Sequence, residues 1–200
     1  MIKKLLLSAL TLILIISLIS CYGSGAESVL NKYLDALYGL DFNKALPYCA
    51  YNFNGLWDEM RVSEGITEEE FMNTLFEYYG VKNMSEYLNY RQNETLIFLK
   101  EDLGGDFKIT SKIINKYVLP GSDTADIIDD LMEEFDSLGL NIYSIIQADK
   151  ITEMIEFDVE LTFSGSNYTE TYEDVFTCVK IDGKWYVLDY EILDMLIFLY

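Results

Sequence analysis

Ile155-Glu156-Phe157-Asp158-Val159-Glu160-Leu161-Thr162-Phe163 alternates apolar and polar side chains without a break over nine positions. Successive side chains of a strand point to opposite faces, so this stretch specifies a β-strand with one face on a core and the other in water. On the C-terminal side, Ser164 to Asn167 reads as a turn and Thr169 to Ile181 as a further strand. Asp182-Gly183 then joins it to Lys184–Asp189, because a two-residue hairpin turn favours residues that tolerate positive φ. On the N-terminal side, Phe107 to Val118 is rich in β-branched residues and closed by Pro120-Gly121, again a strand. Between them the spacing predicts a helix from about Thr124 to Leu138 and extended chain from Ile142 to Ile151.

Upstream the period changes to that of helices. Val29, Leu30, Tyr33, Leu34, Leu37 and Tyr38 recur three and four apart, and Asp41 is placed to cap a short helix reaching Cys49, with Pro47 marking its limit or a kink. Thr67-x-x-Glu70 is a capping box opening a helix through Tyr79 that Gly80 ends, and another helix is expected from about Met84 to Leu99. Helices followed by an antiparallel meander, interrupted once by a helix, predict an α+β fold.

Residues 1–20 stand apart. Lys3 and Lys4 precede an apolar run from Leu5 to Ile19 with no acid in it, the charge and length of a secretion signal. As a helix, that run would span about 22 Å, short of a hydrocarbon core of roughly 30 Å. Leu18-Ile19-Ser20-Cys21 resembles the lipobox of bacterial lipoproteins. The resemblance implies cleavage between Ser20 and Cys21 and a diacylglyceryl thioether on Cys21. Two acyl chains suffice for stable anchoring where one is marginal. The expected organisation is a signal peptide (1–20), a lipidated cysteine with a short linker (21–25) and a single α+β domain (26–200), held on the extracytoplasmic face of the cell membrane.

The whole chain carries 14 Lys and Arg against 34 Asp and Glu, a net charge of −20, and no His. Without residues 1–20 the balance is 12 to 34, or −22. No cluster of Lys and Arg is present, so nucleic acid is not an expected partner. Lacking His excludes Ser-His-Asp and Cys-His catalysis and His-ligated zinc, and no Gly-rich phosphate loop or nucleophile elbow occurs. No cofactor, metal or catalytic residue is indicated.

The opening segment from Ala26 to Leu37 with Asp41-Phe42-Asn43-Lys44-Ala45, and the closing Val179-Lys180-Ile181-Asp182-Gly183-Lys184-Trp185-Tyr186-Val187, look like the two ends of nuclear transport factor 2-like domains in secreted Gram-positive lipoproteins. That resemblance implies a curved antiparallel sheet wrapped around the helices as a cone. Enzymes on such cones often place a carboxylate and a tyrosine in an apolar cavity, where burial raises the acid's pKa. The fold itself implies no activity.

Cys49 and Cys178 are either a disulfide or two small buried hydrophobes. Asp123, Asp126, Asp129, Asp130, Glu133, Glu134 and Asp136 are dense enough for a cation site, yet Ile128, Leu131, Met132, Phe135 and Leu138 interleave at helical spacing, which makes the acids a solvated face. Trp57, Trp185 and the many tyrosines serve either core or pocket. The apolar segment Leu193 to Tyr200 is expected to pack on the sheet, with homodimerisation through the sheet face as the alternative. A non-catalytic module binding a small molecule or protein is the expected function; a carboxylate–tyrosine enzyme and a purely structural surface protein are the alternatives.

Overall fold

The computed structural model describes residues 24–189 apart from 138. The leader, Ser20, Cys21 and the segment 190–200 lie outside the described residues, and with them the expectations of cleavage, lipidation and packing of the apolar C-terminal segment. The fold is α+β: a four-stranded antiparallel sheet in the order β1-β2-β3-β4, with helices packed on it. The strands are β1 (Lys108–Val118), β2 (Ile151–Ser164), β3 (Thr169–Ile181) and β4 (Lys184–Leu188). The helices are α1 (Ser24–Tyr38), α2 (Phe42–Ala45), α3 (Phe53–Glu64), α4 (Glu68–Tyr79), α5 (Met84–Leu103), α6 (Gly121–Ser137) and α7 (Ile142–Ile145).

Strand β2 is central and behaves as its alternation requires. Phe157, Val159 and Leu161 are fully buried, while Glu156, Asp158 and Glu160 keep partial access to water. Phe157 sits opposite Phe176 of β3 and Val159 opposite Ile113 of β1, so one face presents a continuous apolar surface. Helix α1 lies across that face and touches β1, β3 and β4; its Ala26, Leu30, Tyr33, Leu34 and Leu37 are all buried. The rule changes at the other end of the sheet. Met154 and Ile155, Cys178 and Val179, and Val187 and Leu188 are neighbours in sequence and all buried. The pleat sends neighbours to opposite faces, so the sheet is covered on both faces there. Helix α6 contributes Leu131 and Phe135 to the core and touches β2.

Local signals act as read. The Asp182-Gly183 turn has positive φ at both residues, 48° and 79°. Asp41 caps α2, accepting from the Lys44 backbone N–H at 3.2 Å. At α4, Glu70 N–H donates to Thr67 Oγ1 at 3.2 Å and Thr67 N–H donates to the Glu70 carboxylate at 2.9 Å, and Gly80 ends the helix in the left-handed region. These hydrogen bonds to Thr67, the backbone one first, hold the Glu70 carboxyl below its usual range. Replacing Thr67 with Ala is expected to lower stability by about 1 kcal/mol, read as a lower urea midpoint with an unchanged slope.

Two elements differ from expectation. Residues 142–151, read as extended, form α7 and a 3-10 turn (Ala148–Lys150) before β2 begins. Asn141 caps α7 by accepting from Tyr143 N–H at 3.1 Å, and the turn buries Ile142, Ile145 and Ile146 together. An i, i+3, i+4 arrangement was hidden within a β-branched composition. Helix α3 has no counterpart in the sequence reading. It is short, carries Gly55 in its first turn and follows the loop-like Tyr51-Asn52, yet it buries Leu56 and Trp57.

Candidate functional site

The sheet is one-sided at the end away from the Asp182-Gly183 turn, and there α1, α2 and α5 leave an apolar cleft of about 250 Å³. One wall is helical: Leu37, Tyr38 and Leu40 at the end of α1, Phe42 of α2, and Thr95 and Leu99 of α5. The opposite wall is the sheet: Ile109 of β1, Phe163 of β2 and Tyr172 of β3. Ile109 and Phe163 are cross-strand partners, so the pleat puts both on the helix-covered face. Phe163 and Tyr172 stack with ring centroids 5.5 Å apart, and Tyr38 meets Phe163 edge-on at 6.1 Å. Such pairs hold their rings in defined geometry, which leaves the cleft lined rather than filled.

The turn after β2 fixes the helical wall. Asn167 N–H donates to Leu103 O at 3.0 Å, the Asn167 side-chain amide donates to Asp102 O at 2.8 Å, and the Tyr168 hydroxyl donates to the Asp102 carboxylate. The two Asn167 donors satisfy carbonyls that the end of a helix leaves unpaired, and with the Tyr168 hydroxyl they clamp α5 to the β2–β3 turn. Gly165 makes the approach possible, since a Cβ there would lie 2.0 Å from Leu103 O.

The cleft holds little for proton transfer. Its polar side chains are Tyr38, Thr95 and Tyr172, and the Thr95 hydroxyl is spent on Arg91 O at 3.0 Å within its own helix. A carboxylate–tyrosine pair does exist, elsewhere. Tyr33 of α1 donates to Asp189, which follows β4, at 2.5 Å. Tyr33 is fully buried and Asp189 is 5% exposed. Burial first, and then the Asp189 charge, push the Tyr33 hydroxyl well above its usual range. Neither residue lines the cleft. The pair therefore ties α1 to the end of β4 inside the core. Sequence reasoning missed it because the partners are 156 residues apart and Tyr33 belongs to the ordinary apolar stripe of α1.

Cys49 and Cys178 are free, buried thiols. Cys178 pairs with Val187 across β3 and β4, and Cys49 bridges the same Val187 from the other edge of β4. Two strand spacings separate the cysteines, roughly 9–10 Å, beyond the reach of a disulfide. Of the two readings open in the sequence, the disulfide is thus corrected in favour of small buried side chains. Each thiol donates weakly to a carbonyl of the helical layer, Cys49 to Ala45 O and Cys178 to Ala26 O, both at 3.8 Å. Burial raises both thiols, that of Cys178 to about 12; for Cys49 the Asp189 charge adds to the effect.

The remaining aromatic and acidic candidates disperse. Trp57 is core, and Trp185 is half-buried under the Lys180 ammonium, 5.5 Å from its ring. Asp123, Asp126, Asp129, Asp130, Glu133 and Asp136 are exposed on α6 while Leu131 and Phe135 point inward. A second, more polar cleft of about 400 Å³ lies at the opposite end of the sheet, beside Cys49 and the β3–β4 turn. Of its polar side chains, Asn52 donates to Ser144 O at 3.2 Å and Asp182 faces Lys150 at 3.5 Å.

No helix of the described residues is long and apolar enough to cross a membrane. Compared with known proteins, the chain matches no family model, no curated protein and no solved structure.

Proposed function

We propose that this chain is an extracytoplasmic lipoprotein, anchored through a diacylglyceryl group on Cys21 after cleavage at Ser20, whose nuclear transport factor 2-like cone binds a small apolar or aromatic molecule without chemistry. The observation that carries the reading is the ring-lined cleft between α1, α5 and the sheet. Its volume is just under the 300–1,000 Å³ common for ligand pockets, which suits one aromatic ring system or a short alkyl chain. A net charge of −22 without the leader disfavours anionic ligands near the surface, so the ligand is neutral or cationic. The cleft opens at the C-terminal end of α1, and the lipid-bearing cysteine precedes its N-terminal end. Fifteen helical residues separate the two by about 22 Å.

The enzyme alternative has a buried carboxylate and tyrosine in its favour, but each already occupies the other, away from the cleft. A neutral fluorescent probe, N-phenyl-1-naphthylamine, tests the binding reading on protein expressed from residue 22. Binding is expected at one site, and Ile109→Trp, which fills the cleft from β1, is expected to weaken it by about tenfold or more, the equivalent of 1.4 kcal/mol. An Ile109→Trp protein that stays folded and binds as tightly as the parent sinks the assignment of the cleft.

A further inference from the structure

Four aromatic rings border the cleft between α1, α5 and the sheet: Tyr38, Phe42, Phe163 and Tyr172. The Phe163 and Tyr172 planes are 18° apart and the Tyr38 plane stands at 82° to that of Phe163, so rings around the space lie in two nearly perpendicular planes. The face of an aromatic ring is the negative part of its quadrupole and attracts a cation within about 6 Å of the centroid. Charge placement favours a cation too. Phe163 sits opposite Ile109 of β1 and opposite Glu170 of β3, and directly paired side chains share a face with Cβ atoms roughly 4.5–5.5 Å apart. Glu170 is therefore carried on the cleft-lining face of the sheet, in the row of Phe163 and two residues from Tyr172. It is exposed and has no ion pair among the described residues. No described residue lining the cleft is Lys or Arg. Of the cations adjoining the lining residues in sequence, Lys44 is held by Asp41 at 2.5 Å and Arg91 by Glu94 at 3.5 Å. Lys100 is exposed, and Lys108 pairs with Ser164 and so belongs to the sheet face opposite that of Ile109.

We infer, building on the cleft as a ligand site, that its ligand is a quaternary ammonium compound, with the alkyl groups on nitrogen packed among the four rings and the charge shared between the ring faces and Glu170. The lining itself selects this class among cations. Only Tyr38, Thr95 and Tyr172 bring polar side-chain atoms to it, and the Thr95 hydroxyl donates to Arg91 O within its own helix. A primary ammonium carries three N–H donors that each need an acceptor once water is removed, and a donor left unmet is costly. A quaternary nitrogen has none, and its methyl groups bury apolar area at the same time. The net charge of −22 without the leader raises the local concentration of a cation and repels an anion of the same shape.

Choline, its uncharged carbon analogue 3,3-dimethyl-1-butanol, and ethanolamine separate the contributions of charge, shape and N–H donors. Each is titrated into the full-length chain in maltoside micelles and read by the methyl NMR signal of Ile109, which Ile109→Val identifies. Choline is expected to shift that signal saturably, and the carbon analogue and ethanolamine are each expected to bind at least about fivefold more weakly. Glu170→Gln, a change at an exposed position, is expected to weaken choline about threefold and to leave the carbon analogue unchanged. Equal affinity for choline and its carbon analogue overturns the proposal and leaves the cleft standing as a binding site, as does a cleft that takes N-phenyl-1-naphthylamine but not choline. Ethanolamine binding as tightly as choline, or choline held by Glu170→Gln as tightly as by the parent, overturns it as well. If choline, the carbon analogue and the naphthylamine all leave the Ile109 signal in place, the cleft is no ligand site and both readings fall.

Discussion

Raising the pH from 7 to 11 is expected to cost this domain several kcal/mol, enough to unfold it. Three buried groups act together: Cys49, Cys178 and Tyr33, each raised in the folded state chiefly by burial. A raised folded-state pKa means that the unfolded chain loses its proton first. The stability contributed by each group is therefore complete below the unfolded pKa, near 9 for a thiol and 10 for tyrosine, and is lost as pH climbs toward the folded value. For Cys178, with a folded value of about 12, the loss at pH 11 is about 2–3 kcal/mol at one pKa unit per 1.36 kcal/mol. Cys49 adds a similar amount, and the sum approaches the 5–15 kcal/mol that keeps a domain folded. Urea midpoints measured from pH 7 to 11 should fall steeply above pH 9, and Cys178→Ala should flatten part of that fall despite its cavity. A midpoint constant to pH 11 would mean that the thiols and Tyr33 are reached by water.

Tyr33→Phe should destabilise the fold by about 1.5–3 kcal/mol, the usual worth of a hydrogen bond to a charged group. The substitution keeps the ring and its packing, removes only the hydroxyl, and deprives the buried Asp189 carboxylate of the donor at 2.5 Å. Asp189→Asn keeps the shape and removes the charge. The double variant should cost less than the two single ones combined, since neutralising Asp189 removes most of what the Tyr33 hydroxyl stabilises. Chemical denaturation of the four proteins at pH 7 measures this coupling. Additive losses would show that Tyr33 and Asp189 do not act as a pair. Because neither residue lines the cleft, probe affinity in folded Tyr33→Phe should stay at the parent value; a matching loss of binding would revive the enzyme reading.

Much of the architecture was legible because it rests on local periodicity and turn chemistry. The alternation around Phe157, the apolar stripe of α1, the Thr67–Glu70 box and the Asp182-Gly183 turn each state a conformation within a few residues. Helix α3 and turn α7 escaped because their local signals conflict: Gly55 stands inside one, and β-branched isoleucines fill the other. Burial of Leu56, Trp57, Ile142 and Ile145 against distant elements outweighs propensities worth only tenths of a kcal/mol per residue. Cys49 and Cys178 illustrate a different gap. Their spacing along the chain is compatible with a bridge, and only the position of both beside Val187 separates them by two strands.

The candidate site was less legible than the fold. Tyr38, Thr95, Ile109, Phe163 and Tyr172 read in the sequence as ordinary members of a helix stripe or strand face, with nothing to distinguish residues that line a cleft from residues that fill a core. Fold class, the four strands, helices α1, α2, α4, α5 and α6, strong negative charge and the unsuitability for His-based chemistry were all written in composition and short-range pattern, because each depends on composition or on residues within a turn or two of one another. The cleft, the Tyr33–Asp189 tie and the free state of the thiols came from the packing of segments far apart in the chain, since no local preference records which faces will meet or how much space they leave.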